Sequence, residues 1–200
     1  MATQHTAIFH CQKCGKLIYE ECGPTAPECC GHEMTRAVDD VIWELDEKDF
    51  KGITPKARKF LRSIQGDHRK LIKQFLAVRD SWNILDDPRS SDYATIRKQL
   101  TSLREQLAEH FTDEEQGGYL HQALSAAPRL RQQAAELAGQ HKCFLECLDR
   151  LSNNLRAEEA ESWKEARSDF GQLVIDLQKH EGAENMLLQD AFTSDLGIGD

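Results

Sequence analysis

Apolar residues recur every three or four positions from about Thr54 almost to the end of the chain. This period places them on one face of an α-helix, and it runs through four stretches that are interrupted near Pro88, Pro128 and Ala157. Short connections between long amphipathic helices favour antiparallel neighbours. The sequence therefore predicts a mainly α fold, with an up-down-up-down four-helix bundle over residues 54–192.

Each of the four predicted helices carries one histidine on its apolar face. These histidines are His68, His110, His141 and His180. Two of them are followed four residues later by a carboxylate, Glu114 and Glu184. Since residues four apart lie on the same face of a helix, we expect all six side chains to converge inside the bundle.

Two interpretations of these polar residues compete. A single histidine on an apolar face is usually a hydrogen-bonded core residue. Four histidines and two carboxylates in one core, however, would leave buried charges to be satisfied, and each unpaired carboxylate costs several kcal/mol. Imidazole and carboxylate ligands suit iron, and bundles build such sites from facing helices. We therefore predict that these six residues are metal ligands.

A second candidate metal site lies near the N-terminus. Cys11 and Cys14 form a C-x-x-C knuckle, and Cys29 and Cys30 add two more thiols. Four thiolates bind zinc or iron in a tetrahedral arrangement. Four unrelated free thiols are the alternative, but so small a module has little hydrophobic core and needs a bound metal or a cross-link for stability. Residues 1–38 are therefore predicted to form a metal-binding module with a short strand.

Composition and charge restrict the partners and the compartment. The formal net charge is -9, and the first 50 residues hold four basic against ten acidic side chains. Such a surface repels a phosphate backbone, so no nucleic-acid partner is predicted. We find no apolar run long enough for a membrane partner and no secretory signal, which predicts a cytoplasmic protein. The acidic stretch 39–53 is predicted to be a linker, and residues 193–200 a C-terminal tail.

The helical motifs resemble a known family. HFTDEEQ around Glu114 and HEGAENMLL around Glu184 are similar to the metal-binding motifs of hemerythrin-like (HHE cation-binding) domains, and the resemblance covers residues 54–192. It implies a non-haem di-iron centre in which each iron takes two of the histidines. Glu114 and Glu184 would then bridge the irons, together with an oxygen derived from water.

One position departs from the oxygen-carrying members of that family. They have a second histidine four residues after the one on the third helix, and here that residue is Leu145. They also end with an aspartate five residues after the last histidine, where this chain has Glu184 after four. Four histidines in place of five should leave an exchangeable position at one iron. This favours redox chemistry, sensing or iron handling over reversible oxygen carriage.

The N-terminal cysteine pattern resembles the desulforedoxin-like domain. The similarity runs from CxxCG at Cys11 to CCGxxM at Cys29, and it implies a rubredoxin-type Fe(SCys)4 centre; zinc in the same cage stays open. It also allows a homodimer. Two functions are compatible with these resemblances. In the first, the N-terminal module, a metal ribbon, passes electrons to a di-iron site that binds or reduces dioxygen, peroxide or nitric oxide, and a protein serves as redox partner. In the other, a zinc ribbon docks a protein and the bundle senses or binds iron without turnover.

Overall fold

The computed structural model describes residues 6–21, 25–38, 55–85, 88–116, 121, 125, 127–155 and 159–193. Within them, four long helices follow a small ribbon of strands. The helices are α1 (Pro55–Asn83), α2 (Ser90–Glu115), α3 (Arg131–Asn154) and α4 (Ala160–Thr193), and a short 3-10 turn at Pro128–Leu130 leads into α3. No helix among the described residues is long and apolar enough to cross a membrane.

The helices form a closed four-membered bundle. Each helix packs against the next one along the chain, and α4 returns to pack against α1. The buried residues follow the predicted apolar faces, for instance Leu100, Leu103 and Leu107 on α2. Phe75 and Phe170 stack in the core, with ring centroids 6.0 Å apart. The predicted fold class is therefore confirmed.

Strands and tight turns make up the N-terminal ribbon. A three-stranded antiparallel sheet has the order β2 (Leu17–Glu21), β1 (Thr6–His10), β5 (Thr35–Val38). A separate hairpin pairs β3 (Glu28–Cys29) with β4 (His32–Glu33). Its two turn residues, Cys30 and Gly31, have φ values of 53° and 76°. Two consecutive positive φ values are typical of a type I′ turn, which fits the twist of a two-residue hairpin.

The ribbon packs on the bundle through its sheet and its cysteine knuckle. Ile8 and Leu17 are buried in the same apolar cluster as the bundle core. The buried Arg167 on α4 donates a hydrogen bond of 2.8 Å from Nε to the carbonyl of Cys14. Asn83 at the end of α1 likewise donates to the carbonyl of Leu17, at 2.8 Å. Knuckle and bundle are thus held together by backbone-directed hydrogen bonds as well as by apolar packing.

Gly15, next to Cys14, lets the knuckle lie close to α4. Its φ is 72°, and a Cβ atom placed there would lie 2.6 Å from the Cα of Ser168. Only glycine has the freedom and the size for both conditions. The predicted linker 39–53 and most of the predicted tail 193–200 lie outside the described residues, so the module boundaries stay a prediction.

Candidate metal centres

The six side chains predicted to converge inside the bundle do lie together. Five of them are buried, namely His68, Glu114, His141, His180 and Glu184. The sixth, His110, has 13% of its side chain exposed. Their ligand atoms form two groups that could each hold a metal ion.

The first group combines α1, α2 and α4. Glu114 Oε1 lies 2.6 Å from His110 Nε2 and 3.8 Å from His68 Nε2. Glu181 joins them, with Oε2 3.0 Å from His68 Nδ1 and Oε1 3.5 Å from His110 Nε2. We call these four residues the α1–α2 subsite; their ligand atoms lie within 4.8 Å of one another.

The second group combines α3 and α4. His141 Nε2 and His180 Nε2 are 3.2 Å apart. Glu184 Oε1 lies 3.3 Å from His180 Nε2 and 3.6 Å from His141 Nε2. These three residues, the α3–α4 subsite, also keep their ligand atoms within 4.8 Å of one another.

Glu114 connects the two subsites. Its Oε1 faces His110, whereas its Oε2 lies 3.4 Å from His141 Nε2. A carboxylate with one oxygen on each side has the placement of a bridging ligand. The predicted bridging role of Glu184 stays a prediction, since the contacts above place it with His141 and His180.

Two polar residues hold the histidines of the α3–α4 subsite from outside. Glu115 Oε1 lies 2.8 Å from His141 Nδ1, and Gln140 Oε1 lies 3.2 Å from His180 Nδ1. Such partners fix the ring orientation and favour the tautomer whose Nε2 lone pair faces a metal. The ring of Phe111 stacks on His141, with centroids 3.8 Å apart and an interplanar angle of 1°. These contacts position both Nε2 atoms toward the centre of the bundle.

Charge pairing within the α1–α2 subsite is strong. Burial acts to lower the pKa of His68 and of His110. The carboxylates of Glu114 and Glu181 together outweigh this effect and raise the two pKa values to about 9 and about 10. Burial raises the pKa of the two carboxyls, and the neighbouring histidines lower it to about 2 in each. The subsite therefore concentrates negative carboxylates beside imidazoles that hold a proton readily, and a cation can replace those protons.

The ribbon brings its four predicted ligands together as well. The sulfurs of Cys11, Cys14, Cys29 and Cys30 all lie within 4.8 Å of one another. Cys14 Sγ is 3.6 Å from Cys29 Sγ, and Cys29 Sγ is 3.9 Å from Cys30 Sγ. A tetrahedral site with metal–sulfur bonds of about 2.3 Å has sulfurs about 3.8 Å apart. The type I′ turn explains how two adjacent cysteines can face one site.

The other cysteines and histidines that the structure describes lie apart from these groups; Cys22 and His5 lie outside the described residues. Cys143 is exposed on α3 and Cys147 is half-buried there. His32 and His121 are exposed. His10 is buried where the ribbon meets the bundle, and a Cβ at Gly171 would lie 3.4 Å from its Nε2. It therefore packs at that contact.

Two site residues were not predicted as such from the sequence. Glu181 directly follows His180, so the helical period places it off the stripe that carries the other ligands. Glu115 has half of its side chain exposed, yet its carboxylate contacts His141. For Glu181 the sequence contained one signal. The apolar run LVI at residues 173–175 indicates that α4 is buried on several faces, so a residue off the main stripe can also be buried.

Comparison with known proteins decides the family. The model of the hemerythrin HHE cation binding domain matches residues 59–192. The chain belongs to this family. The resemblance stated from the sequence is thereby confirmed. The other comparisons gave no match among curated proteins or solved structures.

Family membership and geometry agree on the general role. A cation-binding domain, two groups of histidines and glutamates inside it, and a cluster of four cysteines make this a metal-binding protein. The assignment of individual residues as ligands stays a prediction.

Proposed function

We propose that the bundle holds a non-haem di-iron centre that binds or reduces dioxygen, peroxide or nitric oxide. The observation that carries this proposal is the two-sided position of Glu114, between His110 and His141. A bridging carboxylate between two subsites is what a pair of metal ions requires. A single-metal site would need no such residue.

The donor atoms fit iron. Imidazole nitrogens with carboxylate oxygens are its usual non-haem ligands, whereas the cluster of four thiols lies in the ribbon. Burial of Glu181 at 2% and Glu184 at 0% exposure is costly without a cation. Bound iron would supply electron transfer and an exchangeable position for a small ligand.

Residues of this chain would prepare that chemistry. Glu115 and Gln140 hold His141 and His180 in a fixed orientation. Phe111 and Phe144 pack against the same histidines and give the α3–α4 subsite an apolar wall. Leu145 replaces a fifth histidine on this side, which supports an exchangeable position here.

For the ribbon we propose an Fe(SCys)4 centre that delivers electrons to the bundle, received from a protein redox partner. The knuckle packs against α4, the helix that carries His180; a Cβ at Gly171 would lie 3.3 Å from the carbonyl oxygen of Gly15. Gly171 and His180 are nine residues apart, about 14 Å along the helix axis at a rise of about 1.5 Å per residue. One helix thus connects both candidate centres.

A second candidate function is supported by the burial of Ile8 and Leu17 in the bundle core cluster. In that case the ribbon holds zinc and acts as a structural or docking module. The bundle would then bind or sense iron without turnover. The same burial is compatible with the first proposal, so metal content distinguishes the two.

The test combines metal analysis with reactivity. Purified protein reconstituted under argon is expected to contain three irons per chain, two in the bundle and one in the ribbon. His110→Ala and His180→Ala should each lose most of the bundle iron and unfold at lower temperature, because metal that binds the folded state stabilises it. Full bundle iron in both variants would contradict the site.

Reactivity is measured by mixing the reduced protein with dioxygen, hydrogen peroxide or nitric oxide in a stopped-flow instrument. Reaction at the bundle centre followed by re-reduction through the ribbon would support the first function. Two irons and one zinc, with no turnover, would overturn electron delivery and favour the second.

A further inference from the structure

We propose that Glu181 is a seventh protein ligand of the bundle, a terminal carboxylate on the metal held by His68 and His110. This inference rests on the proposed two-metal centre and assigns a residue to it beyond the four histidines, Glu114 and Glu184. It gives the α1–α2 subsite two histidines and two carboxylates, Glu114 and Glu181.

Helix geometry explains how Glu181 and His180 serve different subsites. Consecutive residues on an α-helix point about 100° apart. Because α4 packs against both α1 and α3, His180 faces His141 on α3 while Glu181 faces His68 on α1. One dipeptide on α4 thus contributes to both sides of the centre.

Burial makes this carboxylate depend on a positive charge beside it, from a metal ion or from a protonated histidine. Glu181 is 2% exposed, and neither of its oxygens makes a hydrogen bond within the described part of the chain. Its two oxygens lie 3.0 Å from a nitrogen of His68 and 3.5 Å from one of His110. Both oxygens are therefore among the donors of the α1–α2 subsite rather than committed to a backbone group or to solvent.

The charge of two bound metal ions also favours Glu181 as a ligand. Two divalent ions bring four positive charges into a buried site, and neutral imidazoles compensate none of them. Glu114 and Glu184 alone leave two charges uncompensated, and Glu181 reduces this to one. Since uncompensated charge is costly in a low-dielectric interior, the third carboxylate favours retention of both metals.

With Glu181 included, the two metals would have equal numbers of protein side chains. Four residues, two histidines and two glutamates, would hold the α1–α2 metal. The α3–α4 metal has His141, His180 and Glu184, together with the second oxygen of Glu114. An exchangeable position at the α3–α4 metal therefore rests on Leu145, which stands where oxygen carriers have a fifth histidine, and not on Glu181.

The test is a Co²⁺ titration of the full chain, with one zinc preloaded in the ribbon thiolates, comparing wild type with Glu181→Gln. Glu165→Gln is the matched control, since it makes the same charge change at an exposed position of α4. Circular dichroism and thermal unfolding verify that the variants fold. Glu181→Asp, a shorter carboxylate, is a second variant and should retain more affinity than the glutamine.

Wild type and the control are expected to bind two Co²⁺ ions. In Glu181→Gln, one of the two sites should weaken by more than about 100-fold, beyond the loss usual for an outer hydrogen-bond partner, and its ligand-field bands should change. His68→Ala should affect the same site, and combining both changes should add little.

Three outcomes would overturn the proposal. Unchanged or tighter binding in Glu181→Gln would make Glu181 only a counter-ion of His68. Weaker binding with unchanged ligand-field bands would make it an orienting partner. Full retention of affinity in both Glu181 variants, while His68→Ala loses a site, would remove it from the centre. Failure of the wild type to bind two ions would instead contradict the proposed di-metal function itself.

Discussion

Glu114 lies between two histidines from different helices, with one carboxylate oxygen 2.6 Å from His110 Nε2 and the other 3.4 Å from His141 Nε2. Helix α2 supplies the glutamate and His110 four residues apart, and α3 supplies the opposite side. Glu114 thereby connects the two groups of candidate ligands. This position also makes Glu114 the most informative residue to change.

Glu114→Gln is expected to release iron and to abolish magnetic coupling in what remains, because an amide is a poor bridge. Iron analysis and Mössbauer spectroscopy of the oxidised protein measure both. Glu115→Gln is the control, since Glu115 contacts His141 from outside the centre. It should keep two coupled irons, bound by up to about 100-fold more weakly. The reverse pattern would make Glu115 the bridge.

Protein stripped of metal by a chelator should be most stable between about pH 4.5 and 6.5. The pKa of His68 and His110 is raised, to about 9 and about 10, so their contribution is present below pH 6.5 and is lost as pH rises through those values. The pKa of Glu114 and Glu181 is lowered to about 2, so their contribution is lost only as pH falls from 4.5 toward 2.

Urea unfolding across pH 5 to 10 measures this dependence, and we expect the unfolding free energy to fall by several kcal/mol, to order of magnitude, above about pH 6.5. His68→Phe should flatten the curve. Iron affinity should show the opposite trend and rise with pH, since binding displaces these protons. A stability that is constant from pH 6 to 10 would contradict the charge pairing.

Gly15→Ala should detach or strain the ribbon, since its Cβ would meet the backbone of Ser168 at 2.6 Å. Gly31→Ala is the matched control: Gly31 also has a positive φ, of 76°, but nothing lies within 4 Å of its Cβ position. We expect Gly15→Ala to lose about 1 to 3 kcal/mol more of the unfolding free energy than the control, the usual cost of overpacking. Equal losses would mean that the contact with α4 does not stabilise the protein.

Cys29→Ser should remove the ribbon metal and leave the bundle iron in place. If the ribbon holds iron, ferric thiolate charge transfer colours the protein red, and this colour should disappear in the variant. Cys143→Ser, an exposed cysteine on α3, is the control and should retain it. A colourless wild type with one zinc per chain would rule out electron delivery by the ribbon.

Leu145→His should restore a fifth imidazole, because residues 141 and 145 are four apart and lie on the same face of α3. Reduced wild type is expected to react with nitric oxide and to be oxidised by dioxygen. The variant should form a longer-lived oxygen adduct and lose reactivity toward nitric oxide, as followed by stopped-flow spectroscopy. If the wild type already bound oxygen reversibly, the exchangeable position inferred from Leu145 would be wrong.

The bundle and its first six candidate ligands could be predicted because helices repeat with a fixed period. His110 and Glu114, four apart, must share a face of α2, and the same holds for His180 and Glu184 on α4. Cys11 and Cys14 could be predicted as a pair for a similar local reason, since the C-x-x-C spacing brings their side chains together within one turn. The contact of Glu181 with His68 could not be predicted from the sequence, because it depends on which helix packs against each face of α4.

Sequence alone determined which side chains share a helical face, since that depends only on local backbone geometry. It thereby predicted the four helices, one histidine on each, and the cysteine ribbon. Tertiary structure decided what lies between the helices: Glu114 between His110 and His141, and Glu181 toward His68. It also decided that the ribbon knuckle packs on α4, through Arg167 and Gly15. Such relationships depend on the packing of distant segments, and the period of a single helix contains no information about its neighbours.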